Sequence, residues 1–462
     1  MEPQRVIFDE TAIRFVHLSF EGPDAYSHAG GLAIRVTTLA KALAEAGALV
    51  DLYFVGDPLR ASVETTDGVT LHRWCQAISA TAPAGVYDQD ERKIEELCRW
   101  LPQHIADLVS QDHEVGRRTV VLAEDWHTAW PLIAIHDELT RRGLREHVTL
   151  AWTANNRFGF DRIDFTRLAA SATLLTISRA MKHLMWLSGV NPLVVPNGIP
   201  DAALTPVSSC ALAEFRRALD GRVILAKVGR WDLDKRWKMA LETVADLQDR
   251  GDAPVLLARG WNGTAAASAH YRELRAYAEE RGLSWMRYEA QSERDHSLID
   301  VVALAAEEGA AIVELAFPVE GAELQLLYAG SDAVLANSGF EPFGLVGLEA
   351  MAAGSVVVTG STGEDYISPF HNGFALDTDE PLEIIGCLDW LHANAERDAT
   401  LRRRAKETAE RYRWMHVIER LALALNVPFA SFTAERSIRL NAPTVTRSGR
   451  RLARSDERSR AA

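Results

Sequence analysis

Short apolar runs alternate with longer amphipathic segments along most of this chain. Runs of strand length lie at residues 13–20, 50–55, 119–123, 148–152, 174–177 and 193–195, and again at 223–228, 254–258, 311–316, 333–336 and 355–359. Segments such as 32–46 and 237–249 carry apolar residues at helical spacing. Buried strands that alternate with helices predict an α/β protein with parallel sheets covered on both faces.

The strand–helix pattern forms two series that separate near residues 200–209. We therefore predict two doubly wound, Rossmann-like domains, at 1–205 and 206–410, that face each other across a cleft. An amphipathic segment at 398–425 predicts a last helix, of which residues 411–430 return to the N-terminal domain. The Arg- and Ser-rich end, 431–462, is predicted to be a disordered tail. Ligands of such sheets bind at the carboxyl ends of the strands, so the cleft is the expected site.

The amino-acid composition argues against several classes of binding partner. The 462 residues carry a formal net charge of −14, which argues against broad binding to nucleic acid or to anionic membranes. No run approaches the ~20 apolar residues of a membrane helix, and we expect no secretory signal. The four cysteines have no pairing or metal-ligand spacing, which favours a cytoplasmic protein without a disulfide or zinc framework.

A glycine pair opens the first long helix. The first predicted strand leads into a polar loop, and Gly30 and Gly31 then precede the apolar helix pattern. Paired glycines let the backbone approach a ligand closely, and a helix N-terminus offers N–H groups to an anion. The spacing is not that of a dinucleotide fingerprint. On its own, the pair indicates either a structural turn or a phosphate contact.

Two cations follow the first strand of the second series. Arg230 and Lys235 stand five residues apart, just after the predicted strand at 223–228. Cations at the carboxyl edge of a parallel strand suit a diphosphate leaving group, whose developing charge they would neutralise. A solvated basic turn is the alternative interpretation.

The most specific pattern lies at residues 337–354. Glu341 and Glu349 are eight residues apart, with Pro342 placed to begin a helix and Gly354 placed to end it. The helix start at Gly344-Leu345 would supply N–H groups for a phosphate. Glu341 would then hold sugar hydroxyls, and Glu349 would accept hydrogen bonds from a ribose.

Together these groups resemble retaining glycosyltransferases of families 4 and 5, which include bacterial glycogen and starch synthases. The Glu-x7-Glu motif of those enzymes is matched by Glu341 and Glu349, and their phosphate-binding cations by Arg230 and Lys235. Their "GGL" turn is matched at 30–32 and their Asp-Trp-His-Thr segment at 125–128. The resemblance covers about residues 13–425 and implies the two-domain GT-B fold.

The resemblance also implies the site and the reaction. A hexose, expected to be glucose, would be transferred from a nucleotide diphosphate sugar to a hydroxyl acceptor, for which a saccharide is one candidate. The reaction would need no metal ion or other cofactor. The implied catalytic residues are Glu341, Arg230, Lys235 and Asn155. The residues implied to bind the nucleotide sugar are Gly30, Gly31, Gly344, Leu345 and Glu349. Further candidates for the cleft are Asp125, His127 and His28.

Two positions depart from the glycogen-synthase pattern. His28 stands where those enzymes have a lysine, and Asn155 stands where they have a histidine. An amide can hydrogen-bond a sugar hydroxyl but does not titrate near neutral pH. These departures argue against an enzyme that synthesises long glucans, but they do not argue against sugar transfer.

Three alternatives stay open at the level of sequence. A glycoside phosphorylase or a nucleotide-sugar epimerase on the same scaffold would share much of the pattern. A protein that binds sugar nucleotides without catalysis would also keep the cleft. The donor base, the acceptor and the oligomeric state are not defined by these motifs.

Overall fold

The computed structural model describes residues 8, 12–261, 264–289, 297–360 and 362–429. Its strands form two separate sheets, one from each half of the chain. The predicted α/β class with two Rossmann-like sheets is confirmed. The predicted tail at 431–462 lies outside the described residues.

The first sheet has eight strands in the order β3-β4-β2-β1-β5-β6-β7-β8. All of its neighbours are parallel except β3 and β4. The strands are β1 (Ile13–Leu18), β2 (Leu49–Val55), β3 (Val63–Thr66), β4 (Val69–Trp74), β5 (Arg118–Glu124), β6 (Val148–Ala154), β7 (Thr173–Thr176) and β8 (Leu193–Val194). The accompanying helices are α1 (Gly31–Glu45), α2 (Gln76–Ser79), α3 (Asp90–Glu114), α4 (Ala129–Arg141), α5 (Phe165–Ser171) and α6 (Arg179–Trp186).

The second sheet has seven parallel strands in the order β11-β12-β10-β9-β13-β14-β15. They are β9 (Val223–Arg230), β10 (Pro254–Trp261), β11 (Trp285–Tyr288), β12 (Ile312–Leu315), β13 (Ala333–Ala336), β14 (Val357–Thr359) and β15 (Phe374–Ala375). The helices of this half are α7 (Ser209–Ala218), α8 (Trp237–Asp249), α9 (Ala265–Glu280), α10 (Leu298–Glu307), α11 (Gly321–Gly330), α12 (Leu345–Ala352), α13 (Pro381–Ala393) and α14 (Ala395–Glu410).

The central strands of both sheets are buried on both faces, which explains their continuous apolar sequences. β5 reads RTVVLAE and β10 reads PVLLARGW, and nearly every position of each is shielded from water. In the second sheet, β9 lies directly beside β13, so the carboxyl ends of these two strands meet at one edge. The predicted cation pair and the predicted Glu-x7-Glu motif follow those two ends.

The predicted last helix at 398–425 is divided in two. α14 ends at Glu410 and a separate helix, α15 (Trp414–Ala424), follows it. Between them Arg413 pairs with Ile199 in an isolated parallel bridge, because the chain crosses from the second half of the molecule to the first at this point.

Helix α15 packs on the N-terminal domain. Its buried residues Trp414, Val417 and Ile418 share one apolar core with Leu39 and Leu43 of α1. The indole of Trp414 also fills the space beside Gly198, where an added Cβ would lie 2.4 Å from the ring. The last helix therefore ties the far end of the chain to the first sheet.

Replacing Trp414 by Ala should destabilise the N-terminal domain by about 3–5 kcal/mol, because the substitution empties a buried aromatic site. Leu423→Ala on the same helix is the control, since Leu423 is 68% exposed and its truncation should change stability by less than about 0.5 kcal/mol. Chemical denaturation monitored by fluorescence and circular dichroism measures both. Equal effects of the two substitutions would show that α15 does not contribute to this core in solution.

Candidate functional site

The turn between β13 and α12 carries the first glutamate of the predicted motif. Gly344 has a φ of +78° and caps α12, which begins at Leu345. The expectation that Pro342 begins the helix is therefore wrong, because the left-handed backbone at Gly344 cannot lie inside an α-helix. Gly354, with a φ of +80°, lies just past the helix end at Ala352, as predicted.

Lys235 lies directly against this turn. Its Nζ is 2.5 Å from Oε2 of Glu341 and 3.4 Å from Oγ of Ser338. The loop around Lys235 is fastened to the turn through the backbone as well. Gly339 donates its N–H to the carbonyl of Asp234 at 2.7 Å, and Phe340 donates to the Asp234 carboxylate at 3.1 Å. The two predicted charges thus form a single, partly exposed ion pair.

Arg230 occupies the last position of β9, and its charge has a different partner. Its Nε lies 2.9 Å from Oδ2 of Asp232, and both side chains are partly exposed. The backbone carbonyl of Arg230 accepts a hydrogen bond of 2.7 Å from the indole of Trp237. This fixes the strand end, while the guanidinium stays at the surface.

A third cation lies beneath the pair and was missed by the sequence analysis. Lys227 is buried in β9, and its Nζ donates to the carbonyl of Leu335 at 3.1 Å and to Oδ1 of Asn337 at 2.5 Å. Burial, together with the charges of Lys235 and Arg236, holds its pKa well below the usual range. Lys227 therefore connects β9 to the end of β13. In the sequence, only the presence of a lysine inside an apolar strand pattern could have pointed to this role.

Glu349 lies in α12, about one turn after Leu345. Burial raises the pKa of its carboxyl to about 7. Because no neighbouring cation among the described residues offsets the cost of burying its negative charge, the carboxylate is suited to accept hydrogen bonds from an incoming ligand.

The segment after β14 packs against the Glu341 turn. Thr362 makes two hydrogen bonds to the Glu341 backbone: its Oγ1 accepts from the N–H at 2.8 Å and donates to the carbonyl at 3.0 Å. Thr362 in turn donates its own N–H to Oε2 of Glu364 at 3.1 Å. This segment was not identified as part of the site by the sequence analysis.

A buried charge network lies at the carboxyl edge of the first sheet. Glu124, the last residue of β5, is bonded by His17 at 3.1 Å, by Arg35 at 3.2 Å and by the amide of Asn155 at 2.6 Å. Burial alone would raise its pKa, but Arg35 and His17 with the Asn155 amide lower the pKa of Glu124 to about 2. Glu124 is therefore a charged centre that orients Asn155.

Asp125 and Asn155 are buried next to this network. Oδ1 of Asp125 accepts the N–H of Asn155 at 2.7 Å, and Oδ2 accepts the Asn156 amide at 2.7 Å. Burial raises the pKa of Asp125 to about 7. The hydrogen bond from the Asn155 N–H lowers this pKa, and the negative charge of Glu124 raises it further. Among the described residues, Oδ1 of Asn155 has no hydrogen-bond partner although it is buried.

His127 is packed into an aromatic stack. Its ring lies 3.8 Å from that of Trp126 and 4.2 Å from that of Phe20, measured between ring centres. Burial and the nearby charge of Arg162 lower its pKa to about 3, so the ring is neutral at physiological pH. In contrast, His28 is exposed in the loop before α1.

The predicted glycine pair begins α1, and the helix start already holds an anion. Oε2 of Glu21 accepts the N–H groups of Ala29 at 3.3 Å, Gly30 at 3.0 Å and Ala33 at 3.1 Å. The space beside the Cα of Gly30 and of Gly31 is open. Their small size therefore leaves the backbone accessible, while Glu21 fixes the loop.

Two contacts join the halves of the molecule close to these two sets of residues. Arg157, two residues after Asn155, places its guanidinium 5.4 Å from the ring centre of Phe340, the neighbour of Glu341. Arg179, at the start of α6, donates its N–H to Oδ2 of Asp365 at 2.7 Å. The cavity between these contacts has a volume of about 440 Å³.

That cavity is lined from both halves of the chain, by Arg179, Ala180, His183 and Leu184 on one side and by Phe340, Thr362 and Asp365 on the other. In the described ranges, no group of three or more His, Cys, Asp or Glu side chains is arranged to hold a metal ion. The same part of the chain contains no helix long and apolar enough to cross a membrane.

Comparison with solved structures defines the class of fold. The protein HepE of Anabaena, in complex with UDP, superposes with a TM-score of 0.61 at 16% identity, over 89% of this chain and 99% of that one. Sucrose-phosphate synthase of Thermosynechococcus elongatus gives 0.59 at 18% identity, over 89% and 98%. Two parallel sheets facing across a cleft, in this arrangement, are the GT-B fold of glycosyltransferases.

Sequence comparison identifies the domain that carries the Glu-x7-Glu motif. Residues 301–409 match the family Glycosyl transferases group 1, so the chain contains a domain of that family. An uncharacterized glycosyltransferase of Methanocaldococcus jannaschii is 35% identical over 109 residues, which are 23% of this chain and only 28% of that protein. A D-inositol 3-phosphate glycosyltransferase of Geodermatophilus obscurus is 25% identical over 78% of this chain and 77% of its own.

Glu349→Gln should change stability only where Glu349 is ionised. Its pKa of about 7 lies above the unfolded value of 4.5, so wild-type stability falls as pH rises through this interval. We expect the variant to have a higher melting temperature than wild type at pH 8, and an equal one at pH 4. A pH-independent difference between the two proteins would contradict this account of the site.

Proposed function

We propose that this protein is a retaining glycosyltransferase that uses a nucleotide diphosphate sugar, with a hexose such as glucose, and a hydroxyl acceptor. The observation that carries the proposal is the Lys235–Glu341 ion pair beside the N-terminus of α12. It places a cation, a carboxylate and helix N–H groups beside one another at the turn before α12. The UDP complexes of HepE on the same fold support this choice of donor class.

The diphosphate and the sugar of the donor each match one charge of that ion pair. Lys235 and the N–H groups at the start of α12 would bind the diphosphate, and Arg230 would swing from Asp232 to assist. Glu341, released from Lys235, would accept hydrogen bonds from the sugar. Glu349, further along α12, would accept from the ribose hydroxyls. A divalent ion is not needed in this arrangement, because the side-chain cations neutralise the leaving group.

The opposite wall supplies the groups that orient the reacting sugar. The Asn155 amide is held by Glu124, and its buried Oδ1 has no partner in the described structure, so this oxygen would accept from a sugar hydroxyl once the site opens to the donor. Asp125 and His127 lie on the same edge, where the neutral ring of His127 forms a wall. We assign Asn155 an orienting role without proton transfer, because an amide does not titrate near pH 7.

In the proposed step, the bond between sugar C1 and the β-phosphate oxygen breaks, and the diphosphate leaves with the electron pair. The acceptor hydroxyl attacks C1 on the same face, and its proton passes to the departing phosphate oxygen. The products are a glycoside of unchanged configuration and a nucleoside diphosphate. Arg230, Lys235 and the helix N-terminus stabilise the charge that develops on the phosphate.

A screen of nucleotide sugars for hydrolysis and transfer, read by release of nucleoside diphosphate, tests this function. A phosphorylase would instead release a sugar phosphate from a glycoside and inorganic phosphate. An epimerase would change the sugar without releasing the diphosphate, and a binding protein would retain the donor unchanged. Any of these three outcomes would overturn the proposal.

Lys235→Ala and Arg230→Ala should each slow transfer by about 10²–10³-fold, or roughly 2–4 kcal/mol of barrier, because each removes a cation from the leaving group. Lys238→Ala is the matched control. Lys238 is 60% exposed and pairs with Glu242 on α8, so its loss should leave turnover nearly unchanged.

Steady-state rates and melting temperatures of the three variants separate catalysis from folding. Wild-type activity should also persist in EDTA. Near-normal turnover in both Arg230→Ala and Lys235→Ala would exclude the proposed diphosphate site. Loss of activity in EDTA with recovery in magnesium or manganese would exclude the metal-free step.

A further inference from the structure

Behind Glu341 lies a second carboxyl group, that of Glu364, which the proposed reaction does not use. Its side chain is 7% exposed, and it follows β14 at the same sheet edge as the donor turn. Oε2 accepts the N–H of Thr362 at 3.1 Å. In the described residues, Oε1 is buried and has no hydrogen-bond partner.

The segment 362–366 holds the donor turn at both ends. Thr362 makes its two hydrogen bonds to the Glu341 backbone at one end. At the other end, the hydroxyl of Tyr366 donates to the carbonyl of Gly344. Glu364 lies between them, with its Cγ 2.8 Å from the point where a Cβ on Gly344 would lie.

The backbone of this segment leaves no room for adjustment. A Cβ on Gly363 would lie 2.2 Å from the carbonyl oxygen of Glu341 and 2.3 Å from the carbonyl carbon of Pro342. The peptide chain of 363 is therefore in contact with the turn itself. Glu364 is thus linked to the Glu341 backbone through the hydrogen bonds of Thr362.

We propose that Glu364 is a positioning residue of the donor site, whose uncharged carboxyl group fixes the turn that carries Glu341 and Gly344. This inference rests on the proposed function. A buried carboxyl group with an unbonded oxygen is much less costly in its neutral form than as an anion. If it ionised, a second negative charge would lie beside Glu341 and the incoming diphosphate.

Charged and titratable groups face Glu364 from each element around it. They are Glu341 and Lys235 from the donor site, Tyr366 from its own segment, and, around Tyr366, Glu349 of α12 and Tyr412 after α14. Burial and then the charge of Glu341 raise the pKa of Glu364 to about 8, against the Thr362 N–H and Lys235, which lower it. The neutral form therefore predominates at pH 7.

The experiment compares Glu364→Gln, Glu364→Ala and the surface control Glu407→Gln on α14, each with wild type, over pH 6 to about 9.5. The proposal predicts a decline of wild-type turnover above about pH 8 as Glu364 ionises. Glu364→Gln should stay within a few-fold of wild type at pH 7 and lose this alkaline decline. Glu364→Ala should lose about tenfold or more in turnover, and Glu407→Gln should match wild type.

Melting temperatures over the same pH range give a readout independent of the reaction. Wild type should lose stability relative to Glu364→Gln as pH rises from the unfolded carboxyl pKa of 4.5 to about 8. An unchanged alkaline decline in Glu364→Gln, or full turnover in folded Glu364→Ala, would overturn the inference alone. If wild type turns over no nucleotide sugar, the proposed function fails, and the melting curves still decide whether Glu364 is neutral.

Discussion

The Lys235–Glu341 ion pair is the contact on which the rest of the site depends. It joins the loop after β9 to the loop after β13, and the sheet brings these loops together because the two strands are neighbours. A partly exposed pair of this kind contributes little to stability by itself. Its importance lies in the two opposite charges that it brings together, while Asp234, which accepts the N–H groups of Gly339 and Phe340, holds the same two loops against each other.

The two walls of the cleft use buried charge in opposite ways. On the N-terminal side, Glu124 is bonded by Arg35 and His17, which lower its pKa, so its buried carboxylate is ionised. On the C-terminal side, Glu349 and Glu364 lack such compensation and have raised pKa values. Hydrogen bonds donated by a ligand, such as those from the ribose of the proposed donor, would stabilise the ionised form of Glu349.

The alternation of apolar and amphipathic segments was sufficient to predict the fold, because parallel strands covered on both faces leave a local pattern. Helix 237–249 matches α8 at both ends. The helix start expected at Gly344-Leu345 is confirmed, but Pro342 lies three residues before it, because the left-handed turn at Gly344, which Tyr366 bonds from another segment, separates the two. The domain limits and the roles of the site residues stay predictions.

The residues that the sequence analysis missed share a physical cause. Glu21 caps α1 across an intervening loop, and Glu364 reaches Glu341 through Thr362 from a different strand. Contacts between segments distant in the chain have no periodicity, so a single sequence gives no local signal for them. Motifs such as the Glu-x7-Glu pair are readable because their partners lie on one turn and one helix.

A crystal structure of the protein with an unhydrolysed nucleotide sugar tests the central claim most directly. We expect the Lys235–Glu341 ion pair to separate, with the β-phosphate bound by Lys235 and the N–H groups at the start of α12, and with Glu341 on the sugar hydroxyls. A structure in which the ion pair stays closed and the diphosphate lies elsewhere, for example at the α1 N-terminus in place of Glu21, would contradict it.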